Sequence, residues 1–309
     1  MILTLIQMTL IMACGACWRF VSPAEITAVQ TRKVLTTLVY IVFLPALVLN
    51  VLWTADMGLH SLEFTLLGVS GILLTQILVL SVCHFLNFGR HQMGAVLLAA
   101  SFPNVIYLGL PVLEQTFGSW SSSVAVQLNF FAVSPLVYTV GVLIAQHYGG
   151  EEKKEKSKGI NCEMFSFLKT PPFIAVFIAI FLNYNDIPSP LWLTGVLQQL
   201  STAVVPLMLF SLGLALSWNT FRLINLPYII PIVIFKLFFM PLLAIETVSY
   251  LTMPEQHKAA VVLEMAMPSM VVGIIFCDQY GLDSELYAMA VTITTLLSVL
   301  SLPFWYGLL

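Results

Sequence analysis

The sequence predicts an all-α polytopic membrane protein whose ten transmembrane helices form two inverted five-helix repeats, with broken crossover helices in spans 4 and 9. Three observations predict this fold class. Of the 309 residues, 59% are hydrophobic and 9% are charged, whereas soluble domains carry roughly 25% charged residues. Apolar stretches of about 20 residues, long enough to cross a bilayer as helices, recur from end to end. The third observation is an internal repeat in which proline interrupts two of these stretches.

The predicted spans are the apolar stretches between polar turns. They cover residues 2–18, 33–53, 62–88, 92–117, 121–147, 165–184, 194–217, 224–251, 256–279 and 284–308. The domain organisation is therefore a first five-helix repeat over residues 1–148, a short linker containing EEKKEKSKG over residues 149–164, and a second repeat over residues 165–309.

The distribution of basic residues predicts the orientation. All but two of the 12 lysines and arginines lie on one side of the ten-span arrangement; Lys236 lies inside span 8 and Lys258 lies on the other side. Cytoplasmic loops carry the excess of lysine and arginine in membrane proteins. We therefore expect a multi-pass protein of the plasma (inner) membrane, with the linker in the cytoplasm and both termini outside it.

The internal repeat consists of two similar segments, GAVLLAASFPNVIYLGLPVLEQTFG (residues 94–118) and AAVVLEMAMPSMVVGIIFCDQYG (residues 259–281). Both segments carry a proline at the same relative place, Pro103 and Pro268, and both close on an aromatic residue followed by glycine. Proline lacks the backbone N–H and blocks the preceding turn, so it frees carbonyls that hydrocarbon cannot satisfy. Matching breaks in two halves are typical of a transporter's substrate site.

Two further proline pairs support an inverted relation between the halves. Pro45 in span 2 matches Pro206 in span 7, and Pro135 in span 5 matches Pro303 in span 10. Five spans per half make the second half enter the membrane from the opposite side. Inverted repeats place broken helices back to back near the midplane, where half-helix N-termini attract an anion, most simply a carboxylate.

Polar residues beside the breaks are candidates for substrate binding. Asn104 follows the first break and Ser269 the second; alternatively, each hydrogen-bonds the carbonyls that the neighbouring proline releases. Gln127 in span 5 is a further candidate ligand contact, with hydrogen bonding between helices as the alternative. The predicted substrate site therefore consists of Pro103, Asn104, Gln127, Pro268 and Ser269.

Two ionisable residues lie within predicted spans, where charges are costly and point to function. Glu264 precedes Pro268 by one helical turn and is a candidate for protonation or cation binding during transport. Lys236, in span 8, is a candidate for pairing with Glu264 or for attracting an anion. Snorkelling of the lysine or a structural ion pair is the alternative.

Several function classes lack support in the sequence. No nucleophile, base and orienting group occur at plausible spacing, so we do not expect an enzyme. The five histidines are scattered, so neither a metal site nor a cofactor is predicted, and a formal net charge of −3 gives no footprint for nucleic acid.

The ordered motifs resemble those of the auxin efflux carrier family, which includes plant PIN carriers and bacterial organic-acid permeases. The resemblance rests on FPNVIYLGLP at residues 102–111, on MAMP at 265–268 followed by Tyr-Gly at 280–281, and on Leu-Pro-Ala at 44–46, and it covers the whole chain.

This resemblance implies a scaffold of spans 1, 2, 6 and 7, often dimeric, and a transport domain of spans 3–5 and 8–10 that moves as an elevator. Pro103 and Pro268 become the crossover prolines, Asn104 a substrate-contacting amide, and Gln127 the span-5 glutamine of the plant carriers. Ser269, Glu264 and the short central loop depart from the plant pattern. These departures favour a small carboxylate, such as a dicarboxylate, over auxin.

The sequence thus predicts a secondary active or facilitative transporter of small organic anions, working by elevator-type alternating access. Its expected partners are a small carboxylate, the lipid bilayer and a second copy of the chain as a homodimer. Two alternatives remain open: a sodium-coupled symporter of the bile-acid type, and a transport-dead membrane sensor with the same fold.

Overall fold

A computed structural model describes residues 2–21, 26–55, 57–150, 166–216 and 221–309. Within these ranges the chain forms helices and no β-strand. The charged stretch EEKKEKSKG of the predicted linker lies outside the described residues.

The helices are numbered here as continuous helical runs. They are α1 (Ile2–Val21), α2 (Ala28–Leu52), α3 (Leu59–Phe85), α4 (Arg90–Ser101), α5 (Val105–Phe117), α6 (Ser121–Tyr148), α7 (Pro171–Tyr184), α8 (Leu191–Ala215), α9 (Leu223–Val248), α10 (Glu255–Met265), α11 (Gly273–Tyr280) and α12 (Ser284–Tyr306).

Six helices in the described part of the chain, α2, α3, α6, α8, α9 and α12, are long and apolar enough to cross a membrane. The predicted all-α polytopic class is therefore confirmed, while the count of ten spans and their inverted repeat remain predictions. Two physical features contribute to the difference from ten: α7 is short, with 14 residues, and proline divides predicted spans 4 and 9 into the pairs α4–α5 and α10–α11.

Both predicted helix breaks are present. Pro103 lies between α4 and α5, and Pro268 lies between α10 and α11. Phe102 is extended, with φ −99° and ψ 117°, the backbone conformation that a following proline favours at the preceding residue. Each broken pair also ends on glycine with positive φ, Gly118 at 94° and Gly281 at 73°, a conformation that side chains rarely adopt. The aromatic-glycine pairs of the repeat are thus helix ends.

Short π-helical segments interrupt several helices, a feature that the sequence analysis did not predict. Four of them each precede an X-Pro pair: Val39–Phe43, Val105–Gly109, Asn129–Val133 and Phe235–Phe239, followed by Pro45, Pro111, Pro135 and Pro241. In α9, for example, the N–H of Met240 donates to the carbonyl of Phe235 five residues earlier. Proline removes the donor of the ordinary four-residue spacing, and the widened turn accommodates that loss.

The chain divides into two compact units. The first comprises Met1–Gly58, Ile106–Val126 and Ser166–Leu216, and the second comprises Leu59–Val105, Gln127–Phe165 and Ser217–Leu309. The predicted division into two sequential repeats and into a scaffold and a transport domain remains a prediction.

In the first unit, α1 and α8 approach each other at two glycines. A Cβ added to Gly15 would collide with the backbone carbonyl of Phe210, and a Cβ added to Gly213 would collide with that of Met12. Small residues allow such close approach of membrane helices, where packing replaces the hydrophobic effect as the driving force. Trp18 packs edge-on against Phe210, with ring centroids 5.7 Å apart, next to this contact.

In the first unit, one side chain of α7 also donates hydrogen bonds to the backbone carbonyls at the end of α2. The two hydrogens of Asn183 Nδ2 are shared among three carbonyls, those of Leu52 at 3.2 Å, Trp53 at 2.9 Å and Ala55 at 2.9 Å. The Trp53 indole in turn donates to the Ile187 carbonyl at 2.8 Å. The last carbonyls of a helix have no intrahelical donors, so these bonds fix the end of α2 against α7.

The second unit packs α3, α4, α9 and α12 around the two breaks. Helix α4 packs against α3, α9 and α12, and α10 packs against α3, α9 and α12. Most of α4 is buried, from Met93 through Ser101. The polar residues near the breaks are therefore enclosed by helices of one unit.

Candidate functional site

The two broken segments lie antiparallel and hydrogen-bond to each other within the second unit. The N–H of Asn104 donates to the Pro268 carbonyl at 2.9 Å, and the N–H of Met270 donates to the Phe102 carbonyl at 3.0 Å. Pro103 and Ser269 consequently form an isolated antiparallel bridge. Each break supplies backbone partners that the other has lost, so irregular backbone is tolerated here because protein surrounds it.

The Ser269 side chain adds a further hydrogen bond between the two broken segments. Its hydroxyl donates to the Ala99 carbonyl at 2.7 Å, and Ala99 is the residue whose carbonyl an N–H at position 103 would have bonded in an unbroken helix. The Ser269 N–H donates to the Thr294 hydroxyl of α12 at 3.2 Å. The hydroxyl proton of Ser269 is thus engaged with a carbonyl released by Pro103 of the other segment, whereas the alternative interpretation assigned it to a carbonyl released by the neighbouring Pro268. Its role in substrate binding remains a prediction.

We predict that Ser269→Ala lowers stability, because it leaves the Ala99 carbonyl without a donor in a fully buried position. The expected cost is about 1–2 kcal/mol, measured as a lower Tm in detergent. Ser249→Ala is the matched control, since Ser249 is exposed and donates within its own turn to the Glu246 carbonyl. Equal Tm values for both variants would contradict this role of Ser269.

Asn104 differs from Ser269 because its side chain keeps a free donor. The residue is 1% exposed, and its Nδ2 atom has no hydrogen-bond partner among the described residues. A buried unpaired amide donor is unfavourable, and such groups mark strain, function or an unseen partner. Asn104 also directly precedes the first residue of α5 and lies in the non-helical stretch after α4.

Gln127 is likewise fully buried, at 1% exposure, in α6. It lies two residues before the π segment Asn129–Val133, which packs against α3. Next to it, Leu128 contacts Gly68 of α3 closely enough that a Cβ there would lie 2.6 Å from the leucine side chain. The structure thus places Gln127 in the same compact unit as the breaks, and its contact with substrate remains a prediction.

Lys236 lies in the π segment of α9 and is fully buried, which contradicts the snorkelling alternative. Its ammonium group contacts the Met240 sulfur at 2.6 Å and the Met265 carbonyl at 3.4 Å. Met265 is the last residue of α10, so the cation faces the negative end of that half-helix. The lysine nitrogen therefore lies beside the second break.

Glu264 is also fully buried, and both of its carboxyl oxygens lack a hydrogen-bond partner among the described residues. Lys236 contacts the carbonyl of the following residue, Met265, but no salt bridge joins Lys236 and Glu264 in the described part of the chain. The direct structural ion pair considered for these residues is thus not formed. An unpaired carboxylate is costly in such a place.

The structure adds residues that the sequence analysis did not single out. The Thr294 hydroxyl accepts a hydrogen bond from the Ser269 N–H, and the Tyr287 hydroxyl donates to the Met270 carbonyl at 2.7 Å. Buried hydroxyls without a hydrogen-bond partner among the described residues occur at Thr75, Ser101 and Thr295. The one available signal was the threonine-rich TITT stretch of span 10, whose spacing alone does not indicate which hydroxyl faces the break.

Comparison with known proteins identifies the family of this chain. The family model described as "Membrane transport protein" matches residues 1–306. The chain belongs to this membrane transport protein family. The resemblance to auxin efflux carriers, drawn from the motifs around Pro103 and Pro268, is thereby confirmed. The six long apolar helices of the described residues agree with a multi-pass membrane protein of this transporter family.

Two archaeal relatives of this membrane transport protein are described as uncharacterized transporters. One, from Methanocaldococcus jannaschii, is 27% identical over 227 residues, covering 72% of this chain and 70% of its own. The other, from Methanothermobacter thermautotrophicus, is 28% identical over 208 residues, covering 67% of this chain and 65% of its own. These relatives agree with a transport function and name no substrate.

Proposed function

We propose that this membrane transport protein carries small organic anions, specifically carboxylates, and binds them where its two proline-broken helices cross. The observation that carries the proposal is the buried Asn104 amide, whose Nδ2 has no hydrogen-bond partner among the described residues. A carboxylate is acceptor-only when ionised and would supply the missing partner. Lys236 lies fully buried near the second break, where its protonated form would compensate the charge of a bound carboxylate.

The proposed site comprises Pro103, Asn104, Gln127, Pro268 and Ser269. The two prolines fix the backbone break, Asn104 donates to the carboxylate, and Gln127 offers a second amide. The Ser269 hydroxyl oxygen can accept one more hydrogen bond while its proton remains on the Ala99 carbonyl. Glu264 and Lys236 are the proposed coupling residues.

An elevator-type alternating-access mechanism is consistent with the placement of these residues. All seven residues belong to the second compact unit, so one body could carry the substrate with its binding groups intact. Four further features belong to the same proposal and derive from the family resemblance and the charge distribution. They are the scaffold of spans 1, 2, 6 and 7, the homodimer, the plasma-membrane location and the position of both termini outside the cytoplasm.

The test is uptake of a panel of labelled small carboxylates by proteoliposomes, with a proton gradient, a sodium gradient or neither. We expect saturable uptake of at least one carboxylate, absent from empty liposomes. Uptake that requires sodium would favour the bile-acid type of symporter instead. No uptake of any panel member by well-folded protein would overturn the proposal and favour another substrate class or a transport-dead sensor.

A further inference from the structure

We infer that protonation of Glu264 beside Lys236 couples the transport of one proton to the transport of each singly charged carboxylate. This inference rests on the proposed function and names the driving ion that the proposed function leaves open. Protonation of Glu264 would leave the Lys236 charge uncompensated, and the substrate anion would then compensate it.

The first step of the argument is the isolation of Glu264. Its side chain is fully buried, and neither carboxyl oxygen accepts a hydrogen bond from any described residue. Hydrogen bonds to a carboxylate are what make the ionised form tolerable away from water. Both oxygens are therefore free to respond to a proton, whereas a structural carboxylate would be held by donors.

The second step concerns the charges that surround Glu264. Helix α10 packs against α3, α9 and α12. Their ionisable side chains, together with those of α10 itself, are His60, Glu63, Cys83 and His84 on α3, Tyr228, Lys236 and Glu246 on α9, Glu285, Tyr287 and Tyr306 on α12, and Glu255, His257 and Lys258 on α10. Of these, Lys236 lies next to Glu264, because its ammonium contacts the carbonyl of Met265, the residue that follows Glu264.

The third step is the anchoring of Lys236 to groups other than Glu264. The ammonium contacts the Met240 sulfur and the Met265 carbonyl, so the lysine stays in place whether or not Glu264 is ionised. A fixed buried cation needs a nearby negative charge. Ionised Glu264 supplies it in the empty protein, and a bound carboxylate supplies it once Glu264 has accepted a proton.

The charge count gives the stoichiometry. The pair has no net charge when Glu264 is ionised, a single positive charge when Glu264 is protonated, and again no net charge when a singly charged anion has bound. The protein would thus cross between its two states only without net charge, because an unbalanced charge in a low-dielectric site is costly. Inward transport of the anion then carries one proton with it, and no electron transfer or bond to the substrate is involved.

The test uses proteoliposomes with labelled lactate, or with the monocarboxylate that the uptake panel selects. For the wild type we expect an inward gradient of one pH unit to give about tenfold accumulation, and a membrane potential set with potassium and valinomycin to have no effect. For Glu264→Gln we expect no net uptake, because the empty variant keeps an uncompensated lysine charge and cannot cross between the two states. Exchange of external labelled for internal unlabelled carboxylate should persist and should ignore the pH gradient, because the loaded variant has no net charge.

Glu246→Gln is the matched control, since Glu246 is an exposed carboxylate on α9, and it should behave as the wild type. Glu264→Asp keeps a titratable group and should retain the response to the pH gradient. Wild-type uptake that is independent of the pH gradient, or Glu264→Gln uptake that still follows it, would overturn the coupling and leave the proposed function intact. Absence of carboxylate uptake by the wild type would remove both proposals.

An infrared measurement tests the protonation step without substrate. On lowering the pH, wild-type protein should gain the carbonyl-stretch band of a protonated, non-hydrogen-bonded carboxyl group. Glu264→Gln should lack this band, and Glu246→Gln should keep it. The same band in Glu264→Gln would assign the proton to another group and would overturn the inference.

Discussion

Asn104→Ala is expected to raise the apparent KM for the transported carboxylate by about 10- to 100-fold. The estimate follows from the loss of one hydrogen bond to a charged group, which contributes about 1.5–3 kcal/mol. The fold should persist, because Pro103 sets the backbone break and because the Asn104 backbone N–H, which bonds the Pro268 carbonyl, is retained. Initial uptake rates over a range of substrate concentration, with Tm in detergent as the check on folding, measure both quantities.

Asn185→Ala is the control for this variant. Asn185 is exposed in the connection after α7 and donates within its own turn to the Phe181 carbonyl at 2.7 Å, so its removal should leave the KM unchanged. Asn104→Asp should impair uptake more than Asn104→Ala, since an ionised side chain at this position would repel the substrate carboxylate. Normal KM values for Asn104→Ala would move the substrate site away from the crossing segments.

Gly213→Ala is expected to produce the largest loss of stability among single methyl additions in the first unit. The new Cβ would collide with the Met12 carbonyl and neighbouring backbone atoms of α1, and backbone cannot move aside as the end of a side chain can. Overpacking of this kind costs about 1–3 kcal/mol. The expected result is a clear fall in Tm in detergent, with a larger fall for Gly213→Leu.

Gly195→Ala provides a control of opposite sign in the same helix. No atom lies within 4 Å of a Cβ added there, and alanine is favoured over glycine in a helix interior by about 1 kcal/mol. This variant should therefore match or exceed the wild-type Tm. A Gly213→Ala protein as stable as Gly195→Ala would show that α1 and α8 do not approach each other at this glycine.

The helix breaks were predictable because proline acts through its own covalent structure. Pro103 and Pro268 have no N–H wherever they occur, and their matching places in the internal repeat marked them as breaks, whereas Pro206 and Pro303 lie inside continuous helices. Positive φ at Gly118 and Gly281 was signalled in the same way, by glycine after an aromatic residue at matching places. Long apolar stretches likewise predicted the membrane class, because the hydrophobic thickness of a bilayer sets the length of a span.

The partners of polar groups at the breaks could not be predicted from spacing. Ser269 was equally compatible with a ligand and with a released carbonyl, and its bond to Ala99 depends on the register in which two distant segments meet. The position of Lys236 beside the Met265 carbonyl depends on the widened π turn of α9 and on the packing of α10 against it. Neither the turn nor the packing has a local sequence signal strong enough to fix that geometry.

By itself, the sequence determined the all-α membrane class, the two proline breaks, the family and the small set of polar residues near the breaks. These depend on hydrophobicity and on local backbone chemistry, which each residue carries with it. Tertiary structure alone decided that the breaks pair antiparallel, that the Asn104 side chain keeps an unused donor while Ser269 does not, and that Lys236 and Glu264 are both buried without a direct salt bridge. Hydrogen-bond satisfaction and burial are properties of groups brought together from distant parts of the chain, so they are settled only by packing.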